Sequence, residues 1–589
     1  SALNLYAKWT PVEYTVTFDY NGATGGNSDA TLTYETDGTA ITLPTPTRSD
    51  AVFDGWYSDD TFQTLAGAAG ASFTTDADTT LHAKWTTLSF TVTWDSNGGS
   101  AVSATDFLAG ETIAEPTAPT KSGKVFVGWS TSETPDQGDI ANRVETWPYD
   151  PASDADFDLH AIWLDPCTPS EENTFTATGR TGLQSPTYGT AGVEYKELVF
   201  TDTADCGWIV PAGVTSAEVV VVGGGGSAGY FNRAGGGGAG ELLYYNPLNP
   251  LTFSPGDQFL IDVGAGGTYN STTNQGSNGE DSRFGYFKAF GGGAGGGGGG
   301  TAPGSVFKAA QDGGSGGGAA RCEDQTAGKS LSTARYPEFR QLGNDGGAIL
   351  GSCTDVQPGG GGGGAGTVGV DSGSQIPASV RGAGGAAYEI FGRALAAGGA
   401  AWGSFPNRGG ELNGVTLGGS WDGTISSEAT NGVDGTGSGA SSTGKGGSGI
   451  IVVRFALPTA TLTLDNEGST STESVVVGEN PTDPSSTTTR EGYTLAGWSD
   501  DDDNNAEYAV DLSDYTMGSS DDTIYAVWTA NNNTVTFKAN YGSGIADKTQ
   551  TIVTEQATAL NQSFDRTGYN FLEWTTTSDG FGTSYTLTE

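Results

Sequence analysis

Histidine is the side chain best suited to moving protons near neutral pH, and this 589-residue chain has two, His82 and His160. A Ser-His-Asp or Cys-His relay needs a histidine placed beside its nucleophile. Both histidines instead hold the second position of a recurring phrase, Leu-His-Ala-Lys-Trp at 81–85 and Leu-His-Ala-Ile-Trp at 159–163. Tyr6 and Tyr525 fill that position in Leu-Tyr-Ala-Lys-Trp (5–9) and Ile-Tyr-Ala-Val-Trp (524–528). The pattern makes them strand residues, and no relay is expected. With 69 acidic residues present, no carboxylate pair can be singled out by spacing.

Four further motifs imitate chemistry. Gly224-x-Gly226-x-x-Gly229 spells a dinucleotide fingerprint, but more glycine follows where a helix would have to meet the pyrophosphate. Gly439–Gly446 approaches a phosphate loop and has Gly446 where Ser or Thr would hold magnesium; Gly328-Lys329-Ser330 lacks the leading glycine, position 323 being Glu. Ser499–Asn505 offers oxygen ligands without the alternating spacing and closing Glu of a calcium loop, so it reads as a solvated turn. The expectation is a non-enzyme with no cofactor and no metal site.

Four cysteines fall at Cys167, Cys206, Cys322 and Cys353, with no close pair of the zinc-binding kind. Sequential pairing is the simplest of three connectivities. Cys167–Cys206 would staple the preceding module to the glycine-rich region, and Cys322–Cys353 would close a glycine-poor excursion over 321–353. Loops of this size contribute about 3–4 kcal/mol, and disulfides imply an oxidising, extracytoplasmic setting. A net charge of −44 argues against nucleic acid or an anionic membrane surface as partner. No apolar stretch reaches the ~18 residues of a bilayer span. The chain opens at Ser1 inside a motif and without a signal peptide, so it is read as a processed or partial product.

The elements that position these residues repeat. Each unit begins with an alternating strand (Tyr14–Phe18, Phe90–Trp94, Thr461–Leu464, Thr534–Phe537). A polar turn and a Pro-containing segment lead to an aromatic-x-Gly-Trp signature: Phe53–Trp56, Phe126–Trp129, Leu495–Trp498 and Phe571–Trp574. The alternation predicts half-buried strands around paired tryptophans. These units resemble the Listeria–Bacteroides repeat, the small β-grasp-like B-repeat of internalin-type surface proteins. Glu573 stands where the pattern has Gly, and the third unit lacks the Asn-Gly turn. The resemblance implies stalks and spacers on bacterial surfaces.

Between the second and third units lies a glycine block, 219–455, bracketed by Val219–Val222 and Ile450–Val453. Ordinary domains are about 7% glycine, whereas this chain has 96 glycines, most of them here. Threaded aromatics such as Tyr244, Phe284, Tyr388 and Phe391, and two bracketing runs that read as central strands, predict an ordered module rather than a linker. Its glycine runs are expected to pack as extended three-residue-per-turn helices. Trp208–Val222, Phe253–Gly267 and the closing GGSGIIVVRF resemble the glycine-rich domain of bacterial surface proteins and phage tail-fibre adhesins, which implies an extracellular structural or adhesive role without a reaction.

The fold class expected is all-β: small β-grasp-like repeats around a glycine-rich β domain with possible polyglycine II packing. The boundaries are 1–10 (a closing strand of a preceding or neighbouring repeat), 11–87, 88–165, 166–457 (glycine-rich), 458–530, and 531–589 without its last strand. The expected role is a secreted or bacterial cell-surface structural subunit of a stalk, fibre or filament, its main partner another copy of itself and with no membrane insertion. The alternative is an adhesin that meets a cell-surface receptor or glycan through 321–353 and Phe391–Pro406. Leu3, Leu5, Tyr6, Ala7 and Trp9 form an orphan closing strand. Val535, Phe537, Phe571, Trp574, Tyr585 and Leu587 belong to a unit that lacks one. Either copies donate strands head to tail, or a longer chain repeats this sequence.

Overall fold

A computed structural model describes residues 5–26, 28–133, 140–151, 154–229, 234–245, 251–270, 275–297, 308–320, 326–350, 359–373, 376, 381–401, 409–412, 415–420, 431–441, 443–485, 487–502 and 510–586. Among them there is no helix, and the chain is all-β. Cys322, Cys353, Leu3 and Leu587 lie outside the described residues, as do 503–505 of Ser499–Asn505, 402–406 of Phe391–Pro406 and parts of 321–353.

The first three units share one sheet order. In the first, a return strand (Thr31–Glu35), an opening strand (Glu13–Asp19), a closing strand (Thr79–Thr87) and a signature strand (Ala51–Tyr57) lie side by side. Opening and closing strands run parallel, Phe18 opposite Leu81; closing and signature strands run antiparallel, Phe53 opposite Trp85 and Trp56 opposite Ala83. The closing strand is therefore the third of four, bonded on both edges. Ser89–Asp95, Thr105–Leu108, Val125–Ser130 and Phe157–Leu164 repeat this order, as do Thr459–Asn466, Ser469–Val476, Tyr493–Ser499 and Asp522–Ala530.

Glycine is required at one signature position. Gly55, Gly128 and Gly497 sit at the register shift of their strands with φ of 142°, 137° and 151°, a conformation strained for any residue with a Cβ. In the third unit Glu467-Gly468 replaces the missing Asn-Gly turn, with φ of 53° and 86° in a two-residue hairpin. Consecutive units join the same way. Leu88 donates its N–H to the Asp50 carbonyl and accepts from Ala109; Asn531 donates to Gly492 and accepts from Thr554.

The glycine-rich body is built on a sheet whose main path runs Glu171–Thr176, Glu194–Phe200, Ile450–Ala456, Ser216–Val222, Leu242–Tyr245 and Phe339–Leu342. Every neighbouring pair is antiparallel. Val219 and Val221 face a core with Trp208, Phe253 and Phe284. Val220 and Val222 face another with Tyr188, Ile390 and Phe391. A strand covered on both faces has no need of polar alternation, which is why these runs are continuously apolar.

Beyond the strands the chain passes into glycine runs, and the hydrogen bonds acquire a period of three. Along the run Gly235–Gly240, the N–H groups of 235 and 238 donate to 296 and 293, those of 236 and 239 to 360 and 363, and those of 237 and 240 to 440 and 437. Its carbonyls accept in the same rotation, from 229 and 226, from 318 and 315, and from 399. One run thus has six neighbours, three that accept from it and three that donate to it. That is the hexagonal packing of extended helices with three residues per turn. Neighbours approach so closely that a Cβ on Gly237 would overlap the Gly226 carbonyl oxygen, and one on Gly362 the Gly237 carbonyl. Ala239 is tolerated because its methyl enters the apolar cluster beside the sheet.

Two expectations need correction. The stretch 321–353 is not only an excursion: Phe339–Leu342 is an edge strand paired with Leu242–Tyr245, and Gly346 and Gly347 bond into the bundle. Phe391, expected at a binding loop, is 3% exposed within the core. Apolar side chains at these places were worth more inside than out.

Candidate assembly site

Among its described residues, the fourth unit keeps the opening, return and signature strands of its predecessors. Asn532–Phe537 pairs with Lys548–Val553, and Trp574–Thr575 pairs with Ser584–Tyr585. Among the described residues no strand lies between these two pairs. Elsewhere that place belongs to the closing strand.

What is present is correctly formed. The Trp574 indole donates to the Gln562 carbonyl twelve residues upstream at 3.1 Å, as the Trp56 indole does to Pro44 at 2.9 Å. Phe537 and Phe571 lie 4.7 and 5.0 Å from Trp574 between ring centroids. Phe537 is buried and Val535 half-buried. The exposed side is equally informative. Phe571 is 37% exposed, whereas its counterpart Phe126 is 5% exposed beneath Trp163 at 5.7 Å. Asn540 repeats the left-handed turn of Asn21 and Asn97, with φ of 51° against 46° and 47°. Those two amides donate to the closing-strand carbonyls of Ala83 and Ala161 at 2.7 and 2.8 Å; Asn540 reaches Ser578 instead.

At the other end, Leu5, Tyr6 and Trp9 are 86%, 88% and 86% exposed, and Ala7 is exposed between them. None lies in a strand. In complete units the corresponding leucines, Leu81 and Leu159, are fully buried. Among the described residues of the two predicted sets, Leu5, Tyr6, Ala7, Trp9, Phe571 and Tyr585 are exposed, Val535 and Trp574 are half-buried and Phe537 is buried, and this single chain does not bring the two sets together.

The remaining candidates are structural. His82 and His160 sit on closing strands, each with Nδ1 3.1 Å from the carboxylate of Asp19 or Asp95. The fingerprint-like Gly224 and Gly226 have their N–H groups bonded to Glu280 and Gly238, leaving no donor for phosphate. No group of three His, Cys, Asp or Glu among the described residues is placed to hold a metal ion. Cys167 and Cys206 form a disulfide.

Beside that disulfide the second unit is clamped to the glycine-rich body. Val125, Val127, Ile162 and Leu164 pack on Leu260. The Arg143 guanidinium donates to the Gly285 carbonyl at 3.2 Å and lies 4.2 Å from the Tyr286 ring. The Tyr286 hydroxyl in turn meets Trp147 and Glu115 at 2.9 and 2.6 Å. The repeat pattern gives no sign of this clamp; Arg143 and Trp147, a basic and an aromatic residue between the signature and closing strands, are the available signal in the sequence.

Asp205 and Asp262 share a hydrogen bond at this junction, and burial together with the neighbouring Asp262 charge pushes the Asp205 carboxyl up to about 7. Unfolded, that carboxyl releases its proton near 3.8. Its stabilising contribution is therefore complete below about pH 4 and lost as pH rises through about 7. Melting of the glycine-rich body should fall between pH 5 and pH 8, and Asp205→Asn should flatten that fall. A variant with an unchanged pH profile would contradict this.

Residues 14–84, 90–145, 461–527 and 534–589 match the family model of the Listeria-Bacteroides repeat domain, and 201–456 match that of a glycine-rich domain. A protein of Evansella cellulosilytica named "Putative Gly-rich membrane protein" is 43% identical over 129 residues, 21% of this chain and 14% of its own length. Internalin H of Listeria monocytogenes is 34% identical over 93 residues, 15% of this chain and 16% of its own length. The matches thus span less than a fifth of these relatives.

Proposed function

We propose that this chain, which carries four Listeria–Bacteroides repeats around a glycine-rich domain, is a structural segment of a bacterial cell-surface or secreted stalk or fibre whose copies line up end to end. The observation that carries the reading is the six-neighbour glycine run Gly235–Gly240, which makes the centre of the chain a bonded solid. A solid flanked by repeats, clamped to one of them through Arg143 and Tyr286, suits the transmission of position and force. The relatives' names, a membrane protein and an internalin, support a place at the cell surface. In this reading the chain catalyses no reaction, binds no nucleic acid and does not insert into a membrane.

Negative-stain images of the purified chain test it. Stiff elongated particles of constant shape, joining into rows, are expected. Discrete particles that bind cells or glycans without forming rows would favour a receptor-binding role instead.

A further inference from the structure

We infer that each of the first three repeats is a shear clamp that resists pulling along the chain, with its opening and closing strands as the two jaws. The inference rests on the structural reading above. Tension in a stalk or fibre enters a unit at the start of its opening strand and leaves at the end of its closing strand. In these units the two strands are neighbours and run parallel. Their register runs from Val16 opposite Thr79 to Asp19 opposite His82, from Val92 opposite Phe157 to Asp95 opposite His160, and from Leu462 opposite Asp522 to Asp465 opposite Tyr525. Pulling therefore slides one strand past the other, and the hydrogen bonds that cross between them are loaded together. Two strands pulled apart from one shared end would instead part rung by rung. The closing strand is also bonded to the signature strand, and the opening strand to the return strand. Neither jaw slides without breaking two ladders.

Side chains pin the same two strands beyond the backbone ladder. At the entry end, the aspartate immediately before the closing strand accepts an N–H of the opening strand. Asp78 accepts from Thr15 at 2.8 Å, Asp156 from Thr91 at 2.8 Å and Asp521 from Thr461 at 2.7 Å. At the far end the tryptophan of the closing strand reaches back across. The Trp85 indole donates to the Tyr20 carbonyl at 3.1 Å, Trp163 to the Ser96 carbonyl at 2.9 Å and Trp528 to the Asn466 side chain at 3.2 Å. The Asn21 and Asn97 amides add a second pin there, through the Ala83 and Ala161 carbonyls. The plane on which the strands would slip is thus closed at both ends in all three units.

Tension reaches these strands with little slack. One residue, Leu88, separates the first closing strand from the second opening strand, and its N–H and carbonyl are bonded to Asp50 and Ala109. Where the second closing strand ends, Asp165 and Cys167 are bonded to Gly207, and the Cys167–Cys206 disulfide ties the chain covalently to the glycine-rich body. Two residues, Leu457 and Pro458, lead from Ile450–Ala456 of the body into the third opening strand, and Leu457 donates to the Glu194 carbonyl. The Pro-containing segments fall between opening and closing strands in sequence, off the path of the force.

Single-molecule force spectroscopy on the 1–589 chain tests the inference. Pulled from its two ends, each repeat should release about 25 nm of chain in one step. The force should be several times that needed when the same chain is held at Val12 and Asp37. Those two points flank the pair Glu13 and Glu35 at one end of the opening and return strands, so that pull peels the strands apart. Asp78→Ala combined with Asp156→Ala and Asp521→Ala should shorten the lifetime of the three repeats about fivefold under a fixed end-to-end pull. It should leave the Val12/Asp37 peel unchanged, because the Asp78 bond to Thr15 does not join the opening and return strands. End-to-end forces no higher than the peel force, or equal shortening in both directions, would overturn the clamp. The two readings fail separately: loss of the force difference removes the clamp and leaves rows in micrographs, whereas absence of rows removes the end-to-end arrangement and leaves the force difference.

Discussion

Replacing Gly237 by alanine will lower the stability of the glycine-rich body by about 3 kcal/mol or more, or prevent it from folding. A single methyl in an exposed strand would pass almost unnoticed. Here its Cβ would overlap the carbonyl oxygen and carbon of Gly226, which are backbone atoms and cannot rotate away. Gly226 in turn donates to Gly238, and Gly237 itself donates to Ala440 and accepts from Gly399. Displacing one run therefore strains several hydrogen bonds, each of which leaves a costly unpaired group when broken in a buried place. Gly518→Ala is the control: that glycine has nothing within 4 Å and no positive φ, so its change should stay within about 0.5 kcal/mol. Chemical unfolding measures both, followed by the aromatic fluorescence of the glycine-rich body for Gly237→Ala and of the third unit, which contains Gly518, for Gly518→Ala. Equal effects would mean that the bundle is not packed as described.

Arg454→Ala should destabilise the same body by about 3–5 kcal/mol at pH 7.5. Arg454 lies on the strand between Glu197 and Glu218, in register with each, and is fully buried. Its guanidinium is held between the Phe175 and Phe391 rings at 4.4 and 4.0 Å and donates to the Pro186 and Tyr188 carbonyls. Removing it leaves Glu218 with only Arg180, at 3.2 Å, as an opposing charge. Burial already holds the Glu218 carboxyl above its ordinary 4.5, against the pull of Arg454 and Arg180. Without Arg454 it rises further. A raised folded pKa gives stability that is present at low pH and lost as pH rises, so the deficit should shrink as pH falls from 7.5 towards 5. A deficit independent of pH would show that lost packing, rather than the uncompensated carboxylate, accounts for the effect.

The repeats were legible because their spacing is set by side chains. A tryptophan pair, an alternating strand and a glycine at a register shift leave fixed marks, and the phrases ending in Trp85, Trp163 and Trp528 lie on closing strands as expected. The continuously apolar Val219–Val222 and Ile450–Val453 likewise identified paired central strands. The Cys167–Cys206 pairing followed from loop length and order. The arrangement of the glycine runs was not legible. A run such as Gly235–Gly238 carries no side chain with which to choose a neighbour, so the strands and aromatic excursions at its ends decide which runs meet. The buried triad was missed although both strands announce it: Glu218 inside AEVVVV and Arg454 inside IIVVRF are opposite charges in runs that have to pair. Read singly, each stands beside an apolar run and carries no mark of its partner. The clamp between Arg143 and Tyr286 joins residues 143 apart in sequence, with no local pattern to reveal it.

Amide hydrogen exchange of the intact chain tests the ordered glycine body most directly. The N–H groups of Gly235–Gly240 are each bonded to one of three neighbouring runs, and those of Gly292, Gly293 and Gly360–Gly363 are bonded likewise. They can exchange only when the bundle opens as a unit. The account predicts protection at these glycines equal to that of Val219–Val222 in the central sheet. Complete exchange of the glycines within seconds, while the valines stay protected, would contradict it.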